Sequence, residues 1–395
     1  MGKYLFLFLA ALLAVAVFLQ EDFVFILIYL LLGTYLLSRW WGWRAFNALS
    51  VERRAPLRLF LGEEARVEVE IENHSWLPLV WLQIHDSLPV ALAARHVHQQ
   101  VVSLRPRGKY RFHYWLEARR RGYYPVGPLS LYSGDVFGVV ESLRRVYHPF
   151  YLTVYPKIIP LSRVELPSLS PLGTLRHHQP IFEDPSRVIG KRDYVAGDSL
   201  RRVDWKASAS SGWMQVKLYE PSIALETQLC LNLNAADYDP RRRYDDSELA
   251  IVTAASLANY IINQRQAVGL ATNGADPLGE AGHSLPVPPR RGRGNLMRIL
   301  EALARLEVSQ TYPLLELLQR QRPHLPWGAT QIVITPRLAD QDFDALFQAR
   351  RSGLGILIVL VGNPADYHAI RRKASYFGFS LYSILNEGDL DIWRK

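Results

Sequence analysis

Two apolar runs, residues 4–19 and 23–38, open the chain and are separated only by Gln20, Glu21 and Asp22. No other feature limits the fold as sharply, because segments this apolar must be covered by lipid or by protein. At about 1.5 Å per residue each run covers roughly 24 Å, a little short of a hydrocarbon core of about 30 Å. Trp40, Trp41 and Trp43 extend the second run as the aromatic belt expected at headgroups. Lys3 precedes the first run, and Arg39, Arg44, Arg53 and Arg54 follow the second, whereas the connection holds no Lys or Arg. The positive-inside rule then puts both ends in the cytoplasm and predicts a transmembrane helix hairpin over residues 1–45. A cleaved signal peptide is the rival reading, since Ala14-Val15-Ala16 has the small-x-small form; yet it lies inside the run, and a second hydrophobic segment follows at once.

After the membrane the period changes to two. Arg66-Val67-Glu68-Val69-Glu70-Ile71-Glu72 alternates polar and apolar, the pattern of a half-buried antiparallel strand. Short runs at 57–61, 79–84, 99–104, 110–116 and 129–132 repeat it without helices between them. They predict a β-sandwich of about seven strands over 50–142. His74, His85, His96 and His98 are scattered there and read as solvated surface.

A connecting region, 143–221, is broken by Pro156, Pro160, Pro167, Pro171, Pro180 and Pro185, so extended or irregular backbone is expected. His177-His178, with Glu183 and Asp184 near, matches no metal-ligand spacing and reads as surface. From 222 to 395 strand-like and helical patterns alternate: strands at 226–233, 267–271, 331–335 and 355–361, helices at 245–264, 296–306 and 339–351. That alternation predicts an α/β domain, doubly wound around a mainly parallel sheet.

Within the connecting region, residues 187–206 hold three acids (Asp193, Asp198, Asp204) and six bases (Arg187, Lys191, Arg192, Arg201, Arg202, Lys206), with Tyr194 and Trp205 among them. Such mixed charge is poor material for a core strand and suits a loop of local ion pairs. Gly197 before Asp198 allows a tight turn, and Trp205 calls for a place to bury its ring. The run Arg192, Tyr194, Gly197, Asp198, then Val203, Asp204, Trp205, Lys206, Ser208 and Ala209 resembles the signature of the domain-of-unknown-function 58 family, bacterial and archaeal membrane proteins often encoded beside MoxR-type AAA+ ATPases. The pattern there is roughly Arg-x-Tyr-x-Pro-Gly-Asp, then Ile-x-Trp-Lys-x-Ser-Ala-Arg; this chain departs at Ala196 and Ser210. The likeness extends to the membrane hairpin, to the run from Arg120 through Pro128, and to Gly134-Asp135-Val136-Phe137-Gly138.

The resemblance implies that the α/β region is a von Willebrand A-like domain. Such domains often bind a divalent cation through Asp-x-Ser-x-Ser after the first strand, because the ion needs hard oxygen ligands. Here Asn234, Ala236 and Tyr238 fall on those positions; starting from Asn232 instead gives Asn234 and Ala236, which is no better. The next strand of the site ends in Thr335-Pro336 without a carboxylate. The metal site is read as absent or vestigial, with Asp237 and Asp239 in a solvated loop and no cofactor expected.

The chain has no phosphate-binding glycine loop, nucleophile elbow or His-Glu-x-x-His. Its formal charge of +9 is spread in small clusters at 119–121, 241–243 and 290–293, without a nucleic-acid motif, and suits a surface near anionic lipid. Cys230, the one cysteine, lies in an apolar run and reads as a buried small hydrophobe. The resulting expectation is a non-enzymatic, membrane-anchored, cytoplasm-facing scaffold. Membrane lipid and, by the resemblance, a MoxR-type AAA+ ATPase are its partners, and nucleic acid is not. Arg192, Tyr194, Gly197, Asp198, Asp204, Trp205 and Lys206 would lock structure or form a docking face. A membrane-bound hydrolase using the Asp/Arg-rich block is the alternative, and nucleic-acid binding by the basic clusters a weaker one.

Overall fold

The computed structural model describes residues 2–19, 22–95, 99–134, 143–164, 183–195, 198–221, 226–279 and 284–393. His96, His98, residues 135–138, His177, His178, Ala196 and Gly197 therefore lie outside the described residues. The chain is mixed α/β and divides into two compact units, Met1–Lys157 with Leu303–Arg305, and Ile158–Ala302 with Leu306–Lys395.

The first unit opens with helices α1 (Gly2–Leu19) and α2 (Asp22–Asn47). Among the described residues α2 is the one helix long and apolar enough to cross a membrane. At 26 residues it spans about 39 Å, so it outlasts a hydrocarbon core of about 30 Å. Its final turns bury Ser38, Gly42, Ala45 and Phe46. Trp41, expected in a headgroup belt, is half-buried and donates its indole N–H to the Pro78 carbonyl at 3.0 Å, while Trp40 and Trp43 stay exposed.

Among the described residues eleven strands follow: β1 (Leu49–Arg54), β2 (Arg58–Phe60), β3 (Glu64–Asn73), β4 (Leu79–Asp86), β5 (Leu92–Arg95), β6 (Gln99–Leu104), β7 (Lys109–Ala118), β8 (Gly122–Val126), β9 (Leu129–Ser133), β10 (Leu143–Tyr147) and β11 (Phe150–Tyr155). They exceed the seven expected because edge strands such as β1, β5 and β8 are short and weakly patterned. Two antiparallel sheets run β1-β3-β7-β5 and β10-β9-β4-β6, and a third runs β2-β11-β8. Residues 143–155, expected in the connecting region, pair as β10 with β9 and as β11 with β2 and β8. In β3 the alternation is realised: Ala65, Val67, Val69 and Ile71 are buried opposite Leu116, Tyr114, Phe112 and Tyr110. Each such apolar side chain contributes about 1.5–3 kcal/mol when fully buried. One buried charge interrupts this core. Asp86 takes Arg53 at 2.9 Å and the Tyr114 hydroxyl at 2.6 Å, and burial pushes the Tyr114 phenol upward.

The second unit begins with a two-stranded ribbon, β12 (Glu183–Asp193) and β13 (Gln215–Pro221), carrying the short helix α3 (Trp205–Ser211) between its strands. Then come β14 (Glu226–Leu231), α4 (Arg243–Asn263), β15 (Ala267–Thr272), β16 (Val287–Arg290), α5 (Arg293–Arg305), α6 (Leu314–Gln321), β17 (Thr330–Thr335), α7 (Asp340–Arg351), β18 (Gly355–Val361), α8 (Tyr367–Tyr376) and β19 (Ser380–Ile384). The six-stranded sheet runs β16-β15-β14-β17-β18-β19, parallel except at the β16 edge. Cys230, Val333 and Ile358 stand in register on one face and pack with α6, α7 and α8. Alternation turns Leu229, Ile332 and Leu357 to the other face, where α4 packs on the central strands. Short elements such as β16, α6, α8 and β19 carry too little periodic signal to be read from sequence.

Strand order reverses between β14 and β17, since the chain lays β15 and β16 on one side of its first strand and all later strands on the other. In open parallel sheets ligands bind outside the carboxyl ends of the strands at such a switch point.

Candidate functional site

At the switch point β14 runs into Asn232, which is fully buried. Its amide nitrogen donates to Asp237 Oδ2 at 2.9 Å and to Thr335 Oγ1 at 3.0 Å. Its amide oxygen accepts from Asn273 Nδ2 at 2.8 Å and from the Asn234 N–H at 3.1 Å. All four hydrogen-bonding places of an Asn amide are thus filled. Asn273, after β15, accepts from the Leu233 N–H and donates a second time to the Tyr312 carbonyl. Thr335, ending β17, donates to the Arg337 carbonyl. Three adjacent strand ends are tied side chain to side chain across the place where a crevice would open.

The three positions read as a degenerate cation site take other duties. Asn234 caps a 3-10 turn by accepting from the Ala236 N–H at 3.3 Å. Ala236 is exposed and offers no side-chain oxygen. Tyr238 is buried and donates its hydroxyl to the Asn232 carbonyl at 2.7 Å; burial, then Asp246 and Asp237, push its phenol upward.

Nearby acids are also engaged. Asp246, in the first turn of α4, is buried and lies 3.1 Å from the Arg242 guanidinium; burial raises its carboxyl. Gly362 (φ +81) packs so close that a Cβ there would sit 2.7 Å from Asp246 Oδ2. Asp342 is buried, accepts from the Ala339 N–H at the start of α7, and is raised by burial. Among the described residues no group of three or more His, Cys, Asp or Glu is placed to hold a metal ion. Cys230 is fully buried and its thiol is pushed up to about 12, which suppresses the nucleophilic thiolate.

The ribbon corrects the loop expected over 187–206. Residues through Asp193 are strand, with Lys191 opposite Lys217 and Arg192 opposite Val216. Mixed charge is tolerated because a two-stranded ribbon need not bury both faces. Arg192 grips Asp198 through two parallel bonds of 2.7 Å, and the Val195 N–H adds a third at 3.0 Å. Arg192 first, then that amide, hold the Asp198 carboxyl below the usual carboxylate range. Such a planar fork is the geometry in which Arg recognises carboxylate best.

Asp204 is the N-cap of α3. Its Oδ1 accepts from the Ala207 N–H at 3.2 Å, the bond that satisfies an orphan donor of the first turn. Its Oδ2 lies 3.0 Å from Lys191 Nζ, and Lys191 first, then the Ala207 amide, lower its carboxyl. Ser208 ties the helix to β13 by donating to the Asp204 carbonyl and accepting from the Gln215 N–H. Gly212 closes α3 at φ 76, a left-handed conformation that costs glycine least.

Of the residues singled out from sequence, Arg192 with Asp198 and Asp204 with Lys191 come together. Tyr194 is half-buried, its N–H donating to the Met214 carbonyl, while Lys206 is exposed. Trp205 was expected to bury its ring and instead stands 65% exposed, because α3 is a two-turn helix with no apolar layer over its first residue. Trp213 and Met214, also exposed, were missed; two large apolar residues directly after Gly212 were the available signal.

Residues 190–369 match the family described as "Protein of unknown function DUF58". It is 23% identical over 310 residues to the uncharacterized protein YeaD of Bacillus subtilis (strain 168), covering 77% of this chain and 73% of that one. Among solved structures, similarity is found to an aerotolerance-related membrane protein from Bacteroides fragilis (12% identity, TM-score 0.30, 43% of this chain and 95% of that one). A CARDB domain from Pyrococcus furiosus, solved with di-metal ions, is also similar (17% identity, TM-score 0.19, 27% of this chain and 86% of that one).

Proposed function

We propose that this protein is a membrane-anchored, non-catalytic interaction module. In this reading α1 and α2 form the anchor, the first unit is a β-sandwich, and the second is a von Willebrand A-like domain without its cation, with both units in the cytoplasm. One observation carries the proposal. The polar groups at the switch point, where a sheet of this kind would do chemistry, bond to one another. An enzyme needs the reverse arrangement, groups preorganised towards a reacting atom and left open to it.

The finer parts have their own supports. An antiparallel strand at the edge of an otherwise parallel six-stranded sheet, with the first strand at its centre, favours the A-like reading. Two four-stranded antiparallel sheets contributing to one apolar core favour the sandwich. The length and exposure of α2 favour the anchor, and the bases after residue 38 favour a cytoplasmic side. A MoxR-type AAA+ ATPase as partner rests on the family resemblance alone.

Capture of the tagged full chain from detergent-solubilised membranes, with ATP, with ADP and without nucleotide, tests the proposal. A MoxR-type ATPase retained in a nucleotide-dependent manner is the expected result. Failure to retain any AAA+ ATPase in all three conditions overturns the partner assignment.

A further inference from the structure

Four large apolar side chains within residues 200–214 have little of the protein over them. Leu200 is 61% exposed, Trp205 65%, Trp213 73% and Met214 39%. Trp205 opens α3, and Trp213 and Met214 follow its closing Gly212, so the two indoles flank a helix about 10 Å long. Several large apolar side chains left exposed so near one another in the chain are a feature of association surfaces. Cavities of about 320, 210 and 470 Å³ among the described residues are lined by other side chains.

Charge indicates what the surface meets. Residues 187–217 hold seven bases against three acids, a net +4. Asp198 and Asp204 are already held by Arg192 and Lys191. Asp193, Arg201 and Lys206 are exposed and form no ion pair among the described residues, so the unanswered charge beside the indoles is net positive. Tryptophan interleaved with Lys and Arg is the composition of the bilayer interface, where the ring is half solvated and the cation meets phosphate. An anchored chain also holds its own surface near lipid, and a tether turns weak contact into occupancy through effective concentration.

We propose that the α3 end of the ribbon is a second membrane contact, in which Trp205 and Trp213 seat among anionic headgroups and Arg201 and Lys206 meet lipid phosphate. The proposal rests on the membrane-anchored reading for its tether, and not on the ATPase.

Cys230, the one cysteine, is buried, so Ala209→Cys on the exposed side of α3 supplies a single accessible thiol for an environment-sensitive fluorophore. The labelled full chain is placed in nanodiscs of phosphatidylcholine alone, or mixed with phosphatidylglycerol. A blue shift and quenching by brominated acyl chains are expected only with the anionic lipid, weakened by salt and abolished by R201E/K206E. Equal emission in both lipids, or an equal shift from a label at Tyr376→Cys on α8, overturns the docking. A label that responds to an added AAA+ ATPase but not to lipid assigns the face to a protein and also overturns it. Co-migration with the discs reads the anchor separately. A chain that does not enter them refutes the anchored reading and the tether with it, whereas one that enters without a lipid response refutes the docking alone.

Discussion

At the carboxyl edge of the six-stranded sheet Asn232, Asn273 and Thr335 are fully or almost fully buried and bond to one another; on the ribbon Trp205 and Trp213 expose about two-thirds or more of their surface. Both regions combine acids, amides and aromatic residues that, on paper, suit a functional centre. In the first the polar groups point inward and satisfy each other, which stiffens the sheet where ligands usually enter. In the second Asp198 and Asp204 turn to Arg192, Lys191 and the first turn of α3, and the apolar groups point out. The contrast teaches that position in a fold nominates a site, but the direction of its unsatisfied groups decides what the site can do.

The largest expected effect tests the inward region. Asn232→Ala removes a buried amide with four partners, and unfolding of the detergent-solubilised chain by urea should show a loss of about 2–4 kcal/mol. A loss no larger than a surface substitution would mean that the network is not structural. Next comes the helix cap: Asp204→Ala should speed amide exchange at Ala207 and Ser208 roughly 5-fold, with Asp204→Asn milder because it keeps an acceptor.

The two regions should also part in their response to pH. Asp198 and Asp204 have lowered folded-state values, so the stability they supply is present above the ordinary aspartate value of 3.8 and lost as pH falls through the lower folded values. Asp246 is raised, so its favourable contribution is full below 3.8 and lost as pH rises through its folded value. Asp246→Asn should therefore raise the midpoint of thermal unfolding by roughly 2 °C near neutrality, the gain vanishing as the pH approaches 3.8. A gain that grows in acid would refute that sign.

Trp213→Ala should change stability by less than about 0.5 kcal/mol in the same urea measurement, since its ring supports little of the core. A larger loss would make the outward ring a structural one and erase the contrast. The smallest effect is none at all: elemental analysis of the purified chain should find no stoichiometric Mg or Mn.

Much of the molecule is legible in the chain. Alternation in β3 and β7, the apolar run of β18 and the amphipathic pattern of α7 follow from period and composition, because burial of one face imposes a two-residue or 3.6-residue repeat. The absence of carboxylates at Asn234, Ala236 and Tyr238 is legible for the same kind of reason, since ligand chemistry is carried by residue type. The strand identity of residues 187–193 was hidden, because an exposed ribbon obeys no burial period. Pairing partners were hidden too: three acids and six bases in one run allow many combinations, and only the turn at Val195–Asp198 brings Arg192 onto Asp198 while the α3 cap brings Lys191 onto Asp204.

Local composition and periodicity suffice for the apolar opening segment, the change from period two to alternating strand and helix, and the likeness of residues 190–369 to the DUF58 family. None of these needs knowledge of contacts. Tertiary structure alone decided that Asn232 closes the switch point and that Trp205 and Trp213 stay uncovered. Both outcomes depend on what lies across from a residue: Thr335, more than a hundred residues away, fills the space beside Asn232, and among the described residues little covers the indoles.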